Sequence, residues 1–240
     1  MADQFSFLPY VLLATAAGVI GSVIALFWDP KAKVRSAIQH FSAGAVLAAI
    51  ASNVIPEVER IGTVTQVISG FVLGGLTMMG LKWVIVRLER KEKNGHKIPA
   101  GLAAASAVDT FIDGVIISAG FSLSPQLGTL LVIALALELF FLTLSVGVEF
   151  RRGKYKTWQI LLAGGGIASL LLAGSLAASF VFAGATPATL AVVLSFGAAV
   201  LIYLIAEELL VETIQAEDSI FSTLTLFSGF LVLLVLKMLS

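Results

Sequence analysis

Two aspartates, Asp109 and Asp113, lie within one apolar stretch of the chain, residues 105–120. They are four residues apart, so on a helix their side chains share one face, one turn apart. In a membrane, an ionised carboxylate at mid-depth costs roughly 2.5–3.5 kcal/mol. No Lys or Arg follows in the sequence until Arg151, so a cation or protons are the leading candidates for neutralising these acids.

A third acid, Glu138, lies in the next apolar run, and a short link, residues 122–126, separates the two runs. A link of this length predicts an antiparallel pair of helices, on which the three acids meet near the middle of the membrane. Ser106 and Thr110 add hydroxyls on the side of the aspartates. Three carboxylates with hydroxyls form an all-oxygen site that suits hard divalent cations. The predicted metal ligands are Asp109, Asp113 and Glu138; alternatively, these acids are protonated and only hold helices together.

The composition is that of an integral membrane protein. The chain has 240 residues, of which 58% are hydrophobic and 12% charged, and its mean hydropathy is +1.02. The formal net charge is zero, so the chain lacks the excess of basic residues that is typical of nucleic-acid-binding proteins. The absence of cysteine excludes disulfides and thiolate metal sites. With no paired His, no GxSxG and no phosphate-binding motif, the sequence favours a protein that is not an enzyme and requires no cofactor.

Eight apolar runs are near the length that a helix needs to cross a membrane. They lie near residues 8–27, 35–58, 64–87, 100–121, 126–149, 157–182, 188–212 and 219–239. Lys and Arg are concentrated in the first, third and fifth connections, which predicts that these face the cytoplasm and that both termini lie outside. The compact length and short connections favour a prokaryotic plasma (inner) membrane, with the chain as a multi-pass protein.

Residues 41–59 align without gaps with residues 194–212, in spans that run in opposite directions. Matched segments of opposite direction are typical of an inverted repeat. We therefore expect one all-α domain, residues 1–240, in a 3+2+3 arrangement: a first repeat near 8–87, a central pair near 100–149 and a second repeat near 157–239. The alternative is a chance similarity between two helices rich in small residues.

A second group of polar residues lies towards the ends of the second and seventh spans. Asn53 and Glu57 share a helix face near the outer end of the second span, and Glu207 and Glu208 lie towards the inner end of the seventh. Acidic groups at opposite mouths can concentrate cations. These residues, with Ser106 and Thr110, are predicted to line an ion pathway; the alternative is that the acids are solvated helix ends.

The pattern resembles the ZIP (Zrt/Irt-like) family of divalent metal transporters. The resemblance is carried by a second span ending in Pro56-Glu57, by the seventh-span segment 197–208, and by residues 109–114 in the fourth span. The family reads His-Asn-x-Pro-Glu-Gly in that fourth-span motif, whereas this chain reads Asp-Thr-Phe-Ile-Asp-Gly. The resemblance implies eight spans with outer termini, a 3+2+3 inverted repeat, and metal binding between the fourth and fifth spans.

The chain departs from the family at several of these positions, as a divergent member would. Aspartates replace the motif's His and Glu, Glu138 takes the first fifth-span ligand position, and Leu142 replaces the bridging fifth-span Glu. The resemblance therefore implies a single metal position, formed by Asp109, Asp113 and Glu138. Without imidazole, zinc has no advantage over manganese, iron(II), magnesium or calcium.

The leading functional hypothesis is thus a transporter that moves a divalent metal ion inward through an all-carboxylate site between the fourth and fifth spans. A transporter of protons or monovalent cations that has lost metal binding is the first alternative, and a non-transporting membrane subunit is the second. The expected partners are membrane lipid and the metal ion, with a homodimer as the candidate self-association.

Overall fold

The fold is described from a computed structural model of the chain. It describes the backbone of residues 7–91, 100–215 and 220–239, and the side chains of these residues except 88–91, 100–105, 208–215 and 220. Every regular element in this part of the chain is helical. The elements are α1 Leu8–Ala25, α2 Ala32–Ala49, a π-helical turn Ile50–Val54, α3 Ile55–Ile61, α4 Val64–Lys91, α5 Ala100–Leu123, α6 Pro125–Arg152, α7 Thr157–Val181, α8 Pro187–Gln215 and α9 Ile220–Leu239.

Eight helices are long and apolar enough to cross a membrane, which confirms the prediction of eight spans. The second span, Ala32–Ile61, combines α2, the π-helical turn and α3. The fourth and fifth spans are α5 and α6. In both of these, and in the spans of α2 and α8, 56% of the apolar window is buried, against 17% in α4 and α9. The four more buried spans therefore form the centre of the bundle, while α4 and α9 lie at its periphery.

The helices associate mainly in four pairs, α1 with α6, α2 with α9, α5 with α7, and α4 with α8. Glycines allow the backbones in these pairs to approach closely. A Cβ added at Gly44 on α2 would overlap the carbonyl oxygen of Leu226 on α9, and one added at Gly229 on α9 would overlap that of Phe41. Gly114 and Gly174 make the same reciprocal contact between α5 and α7. Small residues therefore set the spacing of the helices around the acids.

A π-helical turn interrupts the second span about two turns before its C-terminal end. Pro56 has no backbone N–H, so it cannot bond to the carbonyl four residues earlier, which is that of Ser52. The Lys237 ammonium, on α9, donates a hydrogen bond to this carbonyl oxygen instead. Ser52 in turn accepts a hydrogen bond from the Asn53 amide at 3.0 Å through its side-chain oxygen. The irregular turn is thus satisfied by a side chain from the last helix.

Ion pairs link α1, α2 and α6 at one end of the bundle, which we call the basic end because Arg35, Arg151 and Arg152 lie there. Arg152 pairs with Asp29 at 2.9 Å, and this guanidinium holds the pKa of the Asp29 carboxyl below its usual range. Arg35 on α2 pairs with Glu149 on α6 at 3.2 Å. The pairs are partly exposed, so they fix the helix ends without contributing much stability.

Candidate functional site

The first two acids are placed by α5, which is enclosed by α6, α7 and α8. Asp109 is 6% exposed and Asp113 2% exposed. Thr110 and Ser106, on the same helix, are also buried. Asp109 comes nine residues after the start of this 24-residue helix, so it lies near the middle of the bundle. Both aspartates are therefore held at depth inside the protein.

The third acid is placed by α6, whose start is fixed by local chemistry. Ser124 is the N-cap, its side-chain oxygen accepts a hydrogen bond from the backbone N–H of Leu127 at 3.2 Å, and Pro125 opens the helix. Glu138 follows 13 residues later in a helix of 28 residues, which is about 20 Å along its axis. Glu138 therefore lies at half the length of α6 and is partly buried.

The three acids occupy one region of the bundle. The Asp113 carboxyl interacts electrostatically with those of Asp109 and Glu138. In the described part of the chain, however, no group of three or more His, Asp or Glu side chains is arranged so that it could hold a metal ion. The helices thus bring the predicted ligands into one region without arranging them as a three-ligand metal site.

Asp109 and Glu138 line a cavity of about 100 Å³. This volume is well above the roughly 10–15 Å³ that one water molecule needs, so the cavity is large enough for water or a partly hydrated ion. The other lining side chains come from α2, α6 and α8 and are Gln39, Ser42, Phe141, Leu142, Ser145, Val146 and Leu204. These residues place the cavity on the side of the acids that faces the basic end. Asp113 is not among them and lies one turn deeper on α5.

Several buried polar atoms around the acids have no hydrogen-bond partner among the described residues. They are Oδ1 of Asp113, Oγ1 of Thr110 and Oγ of Ser42. An unsatisfied buried polar group costs about 1–3 kcal/mol, and native proteins contain few of them. One of these atoms belongs to Ser42, which lines the cavity, and the other two lie on α5 beside the acids, so this region is a place where water, protons or a cation can supply the missing bonds.

Of the remaining residues predicted for an ion pathway, those with described side chains lie away from the cavity, at the far end of the second span and on the side of α8 that faces α4. Asn53 is buried at the π-helical turn, beyond the acids and away from the cavity. The Glu57 carboxylate accepts a hydrogen bond from Nε of Arg60 at 3.0 Å at the same end. Glu207 pairs with Lys82 on α4 at 2.9 Å and does not line the cavity. The side chain of Glu208 lies outside the described residues.

Two polar residues of the cavity, Gln39 and Ser42, were not predicted from the sequence. They are three residues apart on α2, so they share one helix face, and both line the cavity. A polar pair at helical spacing inside an apolar span was the available signal. This signal is weak because neither residue carries charge, and the position of the cavity depends on how α2 crosses α6.

No protein-family model matches the chain, and a comparison with curated proteins finds no match.

Proposed function

We propose that the protein is a membrane transporter that moves a divalent metal cation across the membrane through Asp109, Asp113 and Glu138. The observation that carries this proposal is a pair of acids, Asp109 and Glu138, facing a cavity at mid-depth in a bundle of eight spans. Asp113 and the unsatisfied oxygens around it extend the set of oxygen ligands beyond the cavity. Oxygen donors of this kind suit Mn²⁺, Fe²⁺, Mg²⁺ or Ca²⁺ at least as well as Zn²⁺.

The helix pairing supports an inverted-repeat scaffold for this function. Consider a twofold operation that exchanges α1 with α7, α2 with α8, α4 with α9, and α5 with α6. It would relate the observed pair α1 and α6 to the observed pair α7 and α5. The same operation relates α2 and α9 to α8 and α4, which is the other observed pairing. Transporters built from such repeats hold their substrate near the midplane, where Asp109 and Glu138 lie.

In this proposal, the conformation described is one in which the cation site is reached from the basic end. By the distribution of Lys and Arg, this is the cytoplasmic end. On the far side of the acids, α5 carries Ile116 and Ile117, which are 1% and 0% exposed. In the proposed mechanism, these buried side chains close the way to the opposite end. Rocking of one helix pair against another would then expose the carboxylates outward, as alternating access requires.

The salt bridge between Arg35 and Glu149 lies one helical turn beyond the cavity towards the basic end. Arg35 precedes Gln39 by four residues, and Glu149 follows Ser145 by four, so the salt bridge connects the two helices that line the cavity. We expect Arg35→Gln to raise the rate at which a Cys at position 145 reacts with a water-soluble maleimide by about two- to fivefold. The chain has no native Cys, so Ser145→Cys is the sole labelling site.

Arg60→Gln is the matched control for this measurement, because it breaks an exposed ion pair at the opposite end of the bundle. It should leave the labelling rate at position 145 unchanged. An equal rise in both variants, or no rise in Arg35→Gln, would show that the salt bridge does not limit access to the cavity.

The proposed function is tested by uptake into proteoliposomes. The purified protein should carry at least one of Mn²⁺, Fe²⁺, Zn²⁺, Mg²⁺ and Ca²⁺ into vesicles that contain a fluorescent chelator, with a rate that saturates with ion concentration. Protein-free vesicles give the background. No protein-dependent flux of any of the five ions would reject metal transport.

The alternative of proton or monovalent-cation transport is favoured by one specific observation. Leu142, an apolar side chain, lines the cavity one turn after Glu138, and the described acids do not form a three-ligand group. Protons need single carboxylates and no coordination shell. Uptake that follows a pH gradient and ignores added divalent ions would select this alternative.

A further inference from the structure

A groove of about 680 Å³ lies on the outside of the bundle, between α4 and α8. Its lining residues are Met79, Lys82, Trp83, Val86, Arg87 and Tyr203. It is separate from the cavity of the acids, with which it shares no lining residue. Because α4 is a peripheral span with 17% of its apolar window buried, the groove faces the surrounding lipid.

The groove runs from hydrocarbon depth to headgroup depth. Counted from Val64, Met79 lies about 22 Å along α4, Lys82 about 27 Å and Arg87 about 35 Å. A hydrocarbon core about 30 Å thick therefore ends near Lys82, so Arg87 is at the level of the lipid headgroups. Apolar Met79 lies at the deep end of the groove and basic Arg87 at the shallow end. This gradient matches a phospholipid, which has acyl chains below and a phosphate above.

The basic side chains are held in place by their neighbours. The Arg87 guanidinium lies over the Trp83 ring, 3.5 Å from its centroid, which leaves its N–H groups available at the edges. A guanidinium is the group that binds phosphate with two parallel hydrogen bonds. Lys82 is paired with Glu207 at 2.9 Å, beside Tyr203. With Glu207 compensating one cation, the groove and its ion pair retain one net positive charge, on Arg87.

We propose that this groove binds an anionic phospholipid, with its phosphate at Arg87 and an acyl chain along Met79. The net positive charge at headgroup depth favours a headgroup of net negative charge over a zwitterionic one. The ester groups that join the acyl chains to the phosphate-bearing glycerol would lie near Tyr203 and Lys82, between the two ends of the groove. The site is independent of cation transport, because it involves neither the acids nor the cavity that lies between them.

The chain's three tryptophans allow a direct test. In the double variant Trp28→Phe/Trp158→Phe, Trp83 is the sole tryptophan, and its fluorescence reports quenching by brominated lipid in contact with the groove. We compare vesicles of brominated phosphatidylglycerol with vesicles of brominated phosphatidylcholine, each mixed with unbrominated phosphatidylcholine. We expect the anionic lipid to bind at Trp83 about fivefold more strongly, the factor that one basic residue near the membrane surface contributes.

Arg87→Gln in the same background should reduce this preference to near one. Lys33→Gln is the matched control, because it removes one exposed positive charge from the first turns of α2 at the same end of the bundle and is not a lining residue. Its preference should stay near fivefold. A preference near one in the parent, or an equal loss in both variants, would overturn the proposal, the second by assigning the preference to general surface charge. A thermal unfolding midpoint equal to that of the parent verifies that each variant is folded.

Discussion

Asp109→Asn is expected to lower divalent-cation uptake into proteoliposomes at least ~30-fold, because it removes a buried charge that a bound cation would neutralise. Asp109 is 6% exposed and lines the cavity together with Glu138. Asn keeps the size of the side chain and one oxygen, so the change acts on charge. Glu138→Gln should produce a loss of similar size, since Glu138 is the other acid of the cavity.

Uptake by Asp113→Asn distinguishes passage of the cation through all three carboxylates from simple attraction of cations into the cavity. Asp113 lies deeper than the cavity but interacts electrostatically with the other two acids. If the cation passes through all three carboxylates, Asp113→Asn should also abolish flux. If the cation is held by Asp109 and Glu138 alone, Asp113→Asn should leave more than half of the uptake.

Glu59→Gln is the control for these three variants. Glu59 is an exposed acid near the end of α3, outside the cavity, and its substitution changes the net charge by the same amount. Uptake by Glu59→Gln should equal that of the parent protein. Full flux in both Asp109→Asn and Glu138→Gln, in protein that unfolds at the parent's temperature, would contradict the proposed function.

Gly229→Ala is expected to destabilise the protein by about 1–3 kcal/mol, the usual cost of inserting a methyl group into a tightly packed contact. The added Cβ would overlap the carbonyl oxygen of Phe41 across the contact between α9 and α2. Backbone atoms cannot move aside as a flexible side chain can, so the two helices must separate. The measurement is the thermal unfolding midpoint in detergent.

Gly75→Ala supplies the matched control, since Gly75 lies on α4 with nothing within 4 Å of the added Cβ. Alanine favours a helix over glycine by about 1 kcal/mol, so this variant should be neutral or slightly more stable than the parent. The two variants make the same chemical change and differ in what the methyl group meets. A loss at Gly75 equal to that at Gly229 would contradict the role of close helix contact.

The eight spans could be predicted because their signal is local. A run of about 20 apolar residues has one stable form in lipid, a helix that satisfies its own backbone hydrogen bonds. The predicted start of the fourth span at residue 100 and that of the sixth at 157 coincide with the starts of α5 and α7. The location of Asp109 and Asp113 on one helix also followed from their place within such a run.

Other features depend on which helices meet, and a single sequence does not encode these contacts in its local pattern. The partner of Lys237 is a carbonyl 185 residues away in the sequence. Glu207, for which the sequence predicts a place on the ion pathway, pairs with Lys82 on the adjacent α4, a contact that its local pattern does not indicate. The 3+2+3 repeat and the metal-ligand roles of the acids stay predictions.

The sequence by itself therefore determined that this chain has eight helices long and apolar enough to cross a membrane, with acids in the fourth and fifth of them, because apolar length and helical spacing are local properties. Only the tertiary structure decided that Asp109 and Glu138 share a cavity with Gln39 and Ser42, and that Asp113 lies behind it. The physical reason is that crossing positions between helices are set by close contacts of glycines with backbone atoms distant in the chain, such as Gly44 with the carbonyl of Leu226 and Gly229 with that of Phe41.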